Sequence, residues 1–200
     1  MTRHIDNIVT FDGALILGAG VAGLFSALKL APFPALVIAE GGPGITGSSA
    51  IAQGGIAASV GPGDTWQSHA ADTVAAGAGL TDPAITELVA REAADRIADL
   101  AAMGAPFDRT PDGALAVARE AAHSRPRIVH VNGDRAGPEV MKTLAAKAAA
   151  TASIGILQGF HAIELAMEDG RVVGLFVRTG SGQTARLMLF RAPYVIFATG

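Results

Sequence analysis

Apolar positions along the chain repeat with two different periods, and the switches between them lay out the elements. Leu15 to Leu17 form a short continuous apolar run of the kind that fills a parallel strand buried on both faces. Val21 to Leu30 carry a helical pattern, and Ala35 to Ala39 make a second apolar strand that ends in Glu40. From Asp64 to Gly77, Trp66, Ala70 and Val74 fall at helical spacing. Asp82 and Pro83 read as an N-cap and first helical position. They open a longer helix whose Ile85, Leu88, Val89, Ile97 and Leu100 predict one apolar stripe, closing near Gly104. An Ala-rich helix from about Glu139 to Thr151 should turn Val140, Met141 and Leu144 inward. The period then shortens to strands at Ile154 to Gly159, Ala162 to Met167, Val172 to Arg178, Ala185 to Phe190 and Tyr194 to Ala198. Glu168-Asp169-Gly170 and Ser181-Gly182-Gln183 are hairpin turns, so three of these strands form an antiparallel meander. Tyr194 to Ala198 should return to the parallel sheet. The expected class is α/β, a Rossmann-like parallel sheet with a small antiparallel β-meander.

The first strand, turn and helix frame Gly18-Ala19-Gly20-Val21-Ala22-Gly23, the G-x-G-x-x-G spacing of a dinucleotide site. Gly18 permits the tight turn, Gly20 lets backbone N–H groups approach a pyrophosphate, and Gly23 lets the helix pack on the sheet. Glu40 lies 22 residues after Gly18, where a carboxylate meets ribose hydroxyls in such sites. The motif alone serves NAD and FAD equally well.

Composition narrows the classes. Half the 200 residues are hydrophobic and 16% are charged, which is the makeup of a folded domain with a substantial core. A net charge of −3 offers no basic field for nucleic acid. The absence of cysteine excludes disulfides, thiolate metal sites and cysteine nucleophiles, and fits a reducing cytoplasm. The uncharged run from Gly13 to Leu28 is too short for a membrane span and holds the motif glycines, so it reads as neither an anchor nor a signal peptide.

Three further segments carry candidate chemistry. Gly41 to Gly47 is a turn-rich loop, followed by Ser48-Ser49-Ala50-Ile51-Ala52-Gln53-Gly54-Gly55, whose small residues would admit a flat ligand and whose Ser48, Ser49 and Gln53 supply neutral hydrogen bonds. A plain connector is the alternative. His69 and Asp72 share a helical face, and with no further ligand nearby they predict a structural hydrogen bond rather than a metal pair. Arg119 to His130 concentrates Glu120, His123, Arg125, Arg127 and His130 around Pro126, either a binding loop or a solvated charged one.

Together these motifs resemble the flavoprotein family of succinate dehydrogenase and fumarate reductase subunits, and within it the branch that oxidises L-aspartate. The resemblance runs from about Asp12 to Gly200. It rests on Gly18 to Gly23, on Gly47-Ser48-Ser49 with Ala52 to Ala58, on Arg119-Glu120-Ala121-Ala122-His123-Ser124, on Asp134-Arg135-Ala136-Gly137, and on Ala198-Thr199-Gly200. It implies FAD, with Ala19 to Ala22 at the pyrophosphate, Glu40 and Gly41 by the ribose, Ser48 to Gly55 along the flavin, Ala162 near the adenine, and Ala198, Thr199 and Gly200 approaching the flavin. Ser48 stands at or near the position of the histidine that links FAD covalently in succinate-oxidising members, which implies a non-covalent flavin. Glu120 would orient the substrate through its ammonium. Ala121-Ala122 stand where the family has a glycine pair, Ala136 where it has threonine, and Gly41 where a basic residue is common.

The implied reaction takes L-aspartate to iminoaspartate, with oxygen or fumarate reoxidising the flavin, and its product would feed quinolinate synthase in NAD biosynthesis. The chain would be one FAD-binding domain over residues 1–200, short of the family's capping domain. A fumarate reductase or succinate dehydrogenase type of flavoprotein, and an FAD-binding fragment without turnover, are the alternatives.

Overall fold

The computed structural model describes residues 5–45 and 47–200; Thr46, in the expected turn-rich loop, lies outside the described residues. In chain order the strands are β1 (Asn7–Thr10), β2 (Ala14–Leu17), β3 (Ala35–Ala39), β4 (Ile56–Ala57), β5 (Val117–Ala118), β6 (Ile128–Val129), β7 (Ile154–Gln158), β8 (Phe160–Glu168), β9 (Arg171–Thr179), β10 (Arg186–Arg191) and β11 (Tyr194–Phe197). The helices are α1 (Val21–Leu30), α2 (Ser48–Ile51), α3 (Trp66–Ala76), α4 (Pro83–Met103) and α5 (Ala136–Ala149). The chain folds into two compact units, one from the N-terminal segment to Ala50 together with Leu144–Gly200, the other Ile51–Thr143.

The first unit is built on a parallel sheet of order β11-β2-β3-β7. Alternation along β2 and β3 sends side chains to two apolar faces. Leu15, Leu17 and Ile38 pack with Leu175, Val177, Phe190 and Ala192 of the second sheet and its border. Ala14, Ile16, Ala35 and Val37 pack with Ala27 of α1. Each fully buried Leu or Ile of this kind stabilises the fold by about 1.5–3 kcal/mol.

The second sheet has the order β1-β10-β9-β8 and contains the expected antiparallel meander. Asp169 and Gly170 both take positive φ, 48° and 75°, as the tight β8–β9 hairpin requires. The Ser181 turn closes instead through a short 3₁₀ turn, Gly182–Thr184. β1 was not anticipated. It is four residues long, half polar, and its parallel partner β10 lies at the other end of the chain.

In the second unit α4 begins and ends as expected. The Asp82 carboxylate accepts the Ala84 and Ile85 N–H groups at 2.9 and 3.2 Å, and Gly104 ends the helix at φ 106°. The apolar stripe is a correction. Ile97 and Leu100 are buried, but Ile85, Leu88 and Val89 are 57, 51 and 59% exposed, while Thr86 and Ala90 face inward. The expected helix over this stretch is α3, where His69 is the buried residue and Trp66, Ala70 and Val74, at helical spacing, line a groove with Pro83 and Glu87. Arg91 covers the Trp66 ring at 5.1 Å. A small sheet, β4-β6-β5, completes the unit. No helix among the described residues is long and apolar enough to cross a membrane.

Candidate functional site

The glycine turn after β2 joins three close approaches. Gly18 sits at φ 103°, and a Cβ there would strike the Ala198 carbonyl. A Cβ on Gly23 would strike the Gly18 carbonyl oxygen, so α1 can lie against the turn only with glycine at that position. Gly20 differs. It caps α1 in extended backbone without a side-chain cap, and a Cβ on it would meet only Ser49 Oγ, at 3.2 Å. The first-turn amides of a helix have no intrahelical acceptor. Here the first turn holds no acidic residue, and Val21 N–H donates to Ser49 Oγ at a long 3.4 Å. The result is a bare, donor-rich helix start suited to an anion. Ala19 and Ala22 keep that surface small. Ala198 N–H donates to the Leu17 carbonyl at 2.8 Å, which holds Ala198-Thr199-Gly200 alongside the turn.

At the carboxyl end of β3, Glu40 is exposed, and its Oε1 lies 2.7 Å from His161 Nδ1. The Glu40 carbonyl accepts Gly159 N–H at 3.1 Å. This brings Ala162, exposed on β8, into the neighbourhood of Glu40 and Gly41, although 121 residues separate Glu40 from His161. Sequence reading missed His161, whose only signal is its place beside Ala162. Ser48, Ser49 and Ala50 form the first turn of α2, with Ser48 exposed.

In the second unit Ile51, Ala52 and Gln53 are exposed, and Gly54 takes φ 75°. Gly55 is packed too tightly for a side chain, since a Cβ would strike the Val129 carbonyl. Glu120 Oε1 lies 3.7 Å from the position of a Cβ on Gly54, so the expected substrate carboxylate stands beside the expected flavin-facing glycine. Ala122 takes φ 69°, a left-handed conformation that glycine, the residue the resemblance implies there, adopts without steric cost.

The charged loop is anchored from inside. Arg127 is fully buried. Its Nε and Nη2 donate to Asp64 Oδ2 and Oδ1, both at 2.9 Å, in a bidentate pair, and its Nη1 donates to Asp72 Oδ2 at 2.8 Å. Asp72 Oδ2 also accepts Ser124 N–H at 2.7 Å and the Ser124 hydroxyl at 2.8 Å. The Ser124 amide, more than any other group, holds the Asp72 carboxyl below its ordinary range, with the Arg127 charge adding to it. His69 and Asp72 do share a face, but their expected mutual hydrogen bond is replaced by separate partners: Asp72 turns to Arg127 and Ser124, and His69 packs against the His123 ring at 5.8 Å. Burial, then the nearby Arg127 charge, lowers the His69 pKa. The pairing of Arg127 with Asp64 had no signal in the sequence beyond an arginine abutting the apolar Ile128-Val129. His130 Nδ1 lies 2.7 Å from Asp108 Oδ2, whose carboxyl is held low chiefly by the Asn132 amide. Among the described residues no three His, Asp or Glu side chains are grouped to hold a metal ion.

Comparison with known proteins gives concordant results. Residues 13–200 match a family model described as an FAD binding domain. L-aspartate oxidase of Mesorhizobium japonicum is 45% identical over 88% of this chain and 34% of that protein. The Caulobacter vibrioides L-aspartate oxidase is 43% identical over 96% of the chain and 38% of its own length. Mycobacterium smegmatis Sdh1 in complex with UQ1 superposes with a TM-score of 0.87 at 32% identity, covering 97% of this chain and 34% of that one. Quinol fumarate reductase FrdA of E. coli reaches a TM-score of 0.85 at 26% identity, over 96% of this chain and 33% of its own. The chain thus spans about a third of the length of the relatives it matches.

Proposed function

We infer the function from the family: this chain belongs to the FAD binding domain family, its cofactor is FAD, and we propose that it serves the oxidation of L-aspartate to iminoaspartate. The residues present fit the dinucleotide. Gly18, Ala19, Gly20, Val21, Ala22 and Gly23 offer a bare backbone and first-turn amides to the pyrophosphate. Glu40, its second oxygen free of the His161 contact, receives the ribose hydroxyls beside Gly41, with Ala162 toward the adenine. Ser48, Ser49, Ala50, Ile51, Ala52, Gln53, Gly54 and Gly55 follow the flavin, and Ala198, Thr199 and Gly200 border it. FAD, when bound, supplies the hydride acceptor for the substrate carbon. Ser48 cannot form the link that a histidine makes, so the cofactor is held without a covalent bond.

The observation that carries the substrate reading is the Glu120 carboxylate beside Gly54. A carboxylate there pairs with an ammonium and thereby selects an amino dicarboxylate over succinate. Oxygen or fumarate would take up the two electrons removed from L-aspartate, leaving as peroxide or succinate, and iminoaspartate would pass to quinolinate synthase in a cytoplasmic route to NAD. A succinate or fumarate specificity is the second reading, favoured by the superposition on Sdh1 and FrdA.

The test uses the whole polypeptide that carries these residues. Visible spectra before and after acid precipitation should show flavin released into the supernatant. L-aspartate should bleach the flavin and yield iminoaspartate, while succinate should not. Glu120→Gln should raise KM for L-aspartate about tenfold or more, the loss expected for one charge-assisted contact. Flavin bleaching by succinate in preference to L-aspartate would transfer the assignment to the second reading.

A further inference from the structure

We propose that Asp72 and His69, on one face of α3, are positioning residues that fix the Glu120 turn and through it the place of the Glu120 carboxylate. This rests on the reading of Glu120 as the carboxylate that orients substrate. The turn from Glu120 to Ser124 has little support of its own: Glu120, Ala121, Ala122 and Ser124 are exposed, and Ala122 lies in a backbone region that disfavours a side chain. Its internal bonds are His123 N–H to the Glu120 carbonyl at 3.3 Å and Arg119 Nε to the His123 carbonyl at 3.1 Å. The outside grip comes from α3. Asp72 Oδ2 takes both the amide and the hydroxyl of Ser124, and His69, one helical turn earlier, packs its ring on His123.

Two features make this grip rigid. Arg127 locks Asp72 while its own bidentate bond to Asp64 fixes the guanidinium, and the side chains of Arg127 and Asp64 are both closed to solvent. Arg127 N–H also donates to the Ala118 carbonyl at 3.0 Å, which ties the strand entering the turn to the same arginine. The segment carrying Glu120 is therefore held at Ala118 and at Ser124 by groups that meet at Arg127. With the segment tied at Ala118 and Ser124, the backbone that carries Glu120 is held beside Gly54.

The experiment compares wild type, Asp72→Asn, Asp72→Ala and Ser124→Ala in the flavin-loaded full polypeptide. Ser124 is exposed, so its variant tests the grip without disturbing the buried pair. Amide hydrogen exchange at residues 120–124 should speed up about tenfold or more in Asp72→Ala, with smaller effects in the other two. KM for L-aspartate should rise by a similar factor while kcat falls much less. Combined with Glu120→Gln, Asp72→Asn should add no further rise in KM, because it acts through the residue already lost. Unchanged exchange at Ser124, or KM losses that multiply in the double variant, would overturn the proposal. Should wild type fail to oxidise L-aspartate, the substrate reading falls, and the exchange measurement still decides whether Asp72 holds the turn.

Discussion

Ala122 has a left-handed backbone at φ 69°, a conformation that costs an alanine about 1 kcal/mol or more. Replacing it with glycine removes that strain but adds unfolded-chain entropy of about 0.4–1 kcal/mol. The strain relief should win narrowly, so Ala122→Gly is expected to raise Tm by one or two degrees, roughly the shift of 0.5 kcal/mol in a chain of this size. Two of the motif glycines separate by what a side chain would meet. Gly23→Ala should cost about 1–3 kcal/mol by overpacking against the Gly18 carbonyl. Gly20→Ala meets only a movable serine hydroxyl, so the melting temperature of the FAD-free protein should hold within a degree or two of FAD-free wild type while FAD is lost on purification. Equal destabilisation by both would mean that Gly20 is a packing position.

The helices show where pattern and burial part. The caps of α4 were legible because capping chemistry is local: Asp82 meets amides two and three residues on. Asp82→Ala should cost about 1 kcal/mol in chemical denaturation. Its apolar stripe was only half right, because a helical pattern states which residues share a face and not how far along the helix the neighbour extends. Ile97→Ala is therefore expected to cost about 2–5 kcal/mol. Leu88→Ala should stay within about 0.5 kcal/mol. On α3 the period picked out Trp66, Ala70 and Val74, yet the helix buries His69 and presents Asp72 to an arginine 55 residues away. Strand β1 escaped for a related reason: four residues with two apolar side chains carry almost no signal until β10 offers its edge.

At the scale of the whole molecule, the charges buried in the Ile51–Thr143 unit set its response to pH. The lowered His69 pKa means that the unfolded chain binds a proton that the native state refuses, so stability falls as pH drops below the ordinary histidine value of 6.5. The Asp72 carboxyl is shifted the other way. Its contribution is complete above the ordinary value of 3.8 and is lost only at stronger acidity, as pH falls through the depressed native value. Between about pH 7.5 and 5.5, then, a loss in thermal stability is expected that is smaller in His69→Gln than in wild type, with Asp72 contributing no slope. Arg127→Met should be worse at any pH, by about 3–5 kcal/mol, because it strands the buried Asp64 carboxylate.

The sequence by itself determined the parallel strands, the helix after the glycine turn and the meander, since each depends on residues within a few positions of one another, whereas the choice of FAD came from motifs spread from Gly18 to Gly200. The turn needs Gly18 and Gly23 against each other, the strands need their own alternation, and the hairpin needs Asp169-Gly170. Tertiary structure alone decided which polar groups meet. His161 reaches Glu40 across 121 residues, and Arg127 joins Asp64 to Asp72 and so to Ser124. A buried charge is tolerated only where folding delivers its partner, and no local pattern records where that partner will arrive. The same reason separates the glycine turn, readable on sight, from the contacts beneath Glu120, which emerged only once α3 and the charged loop were packed together.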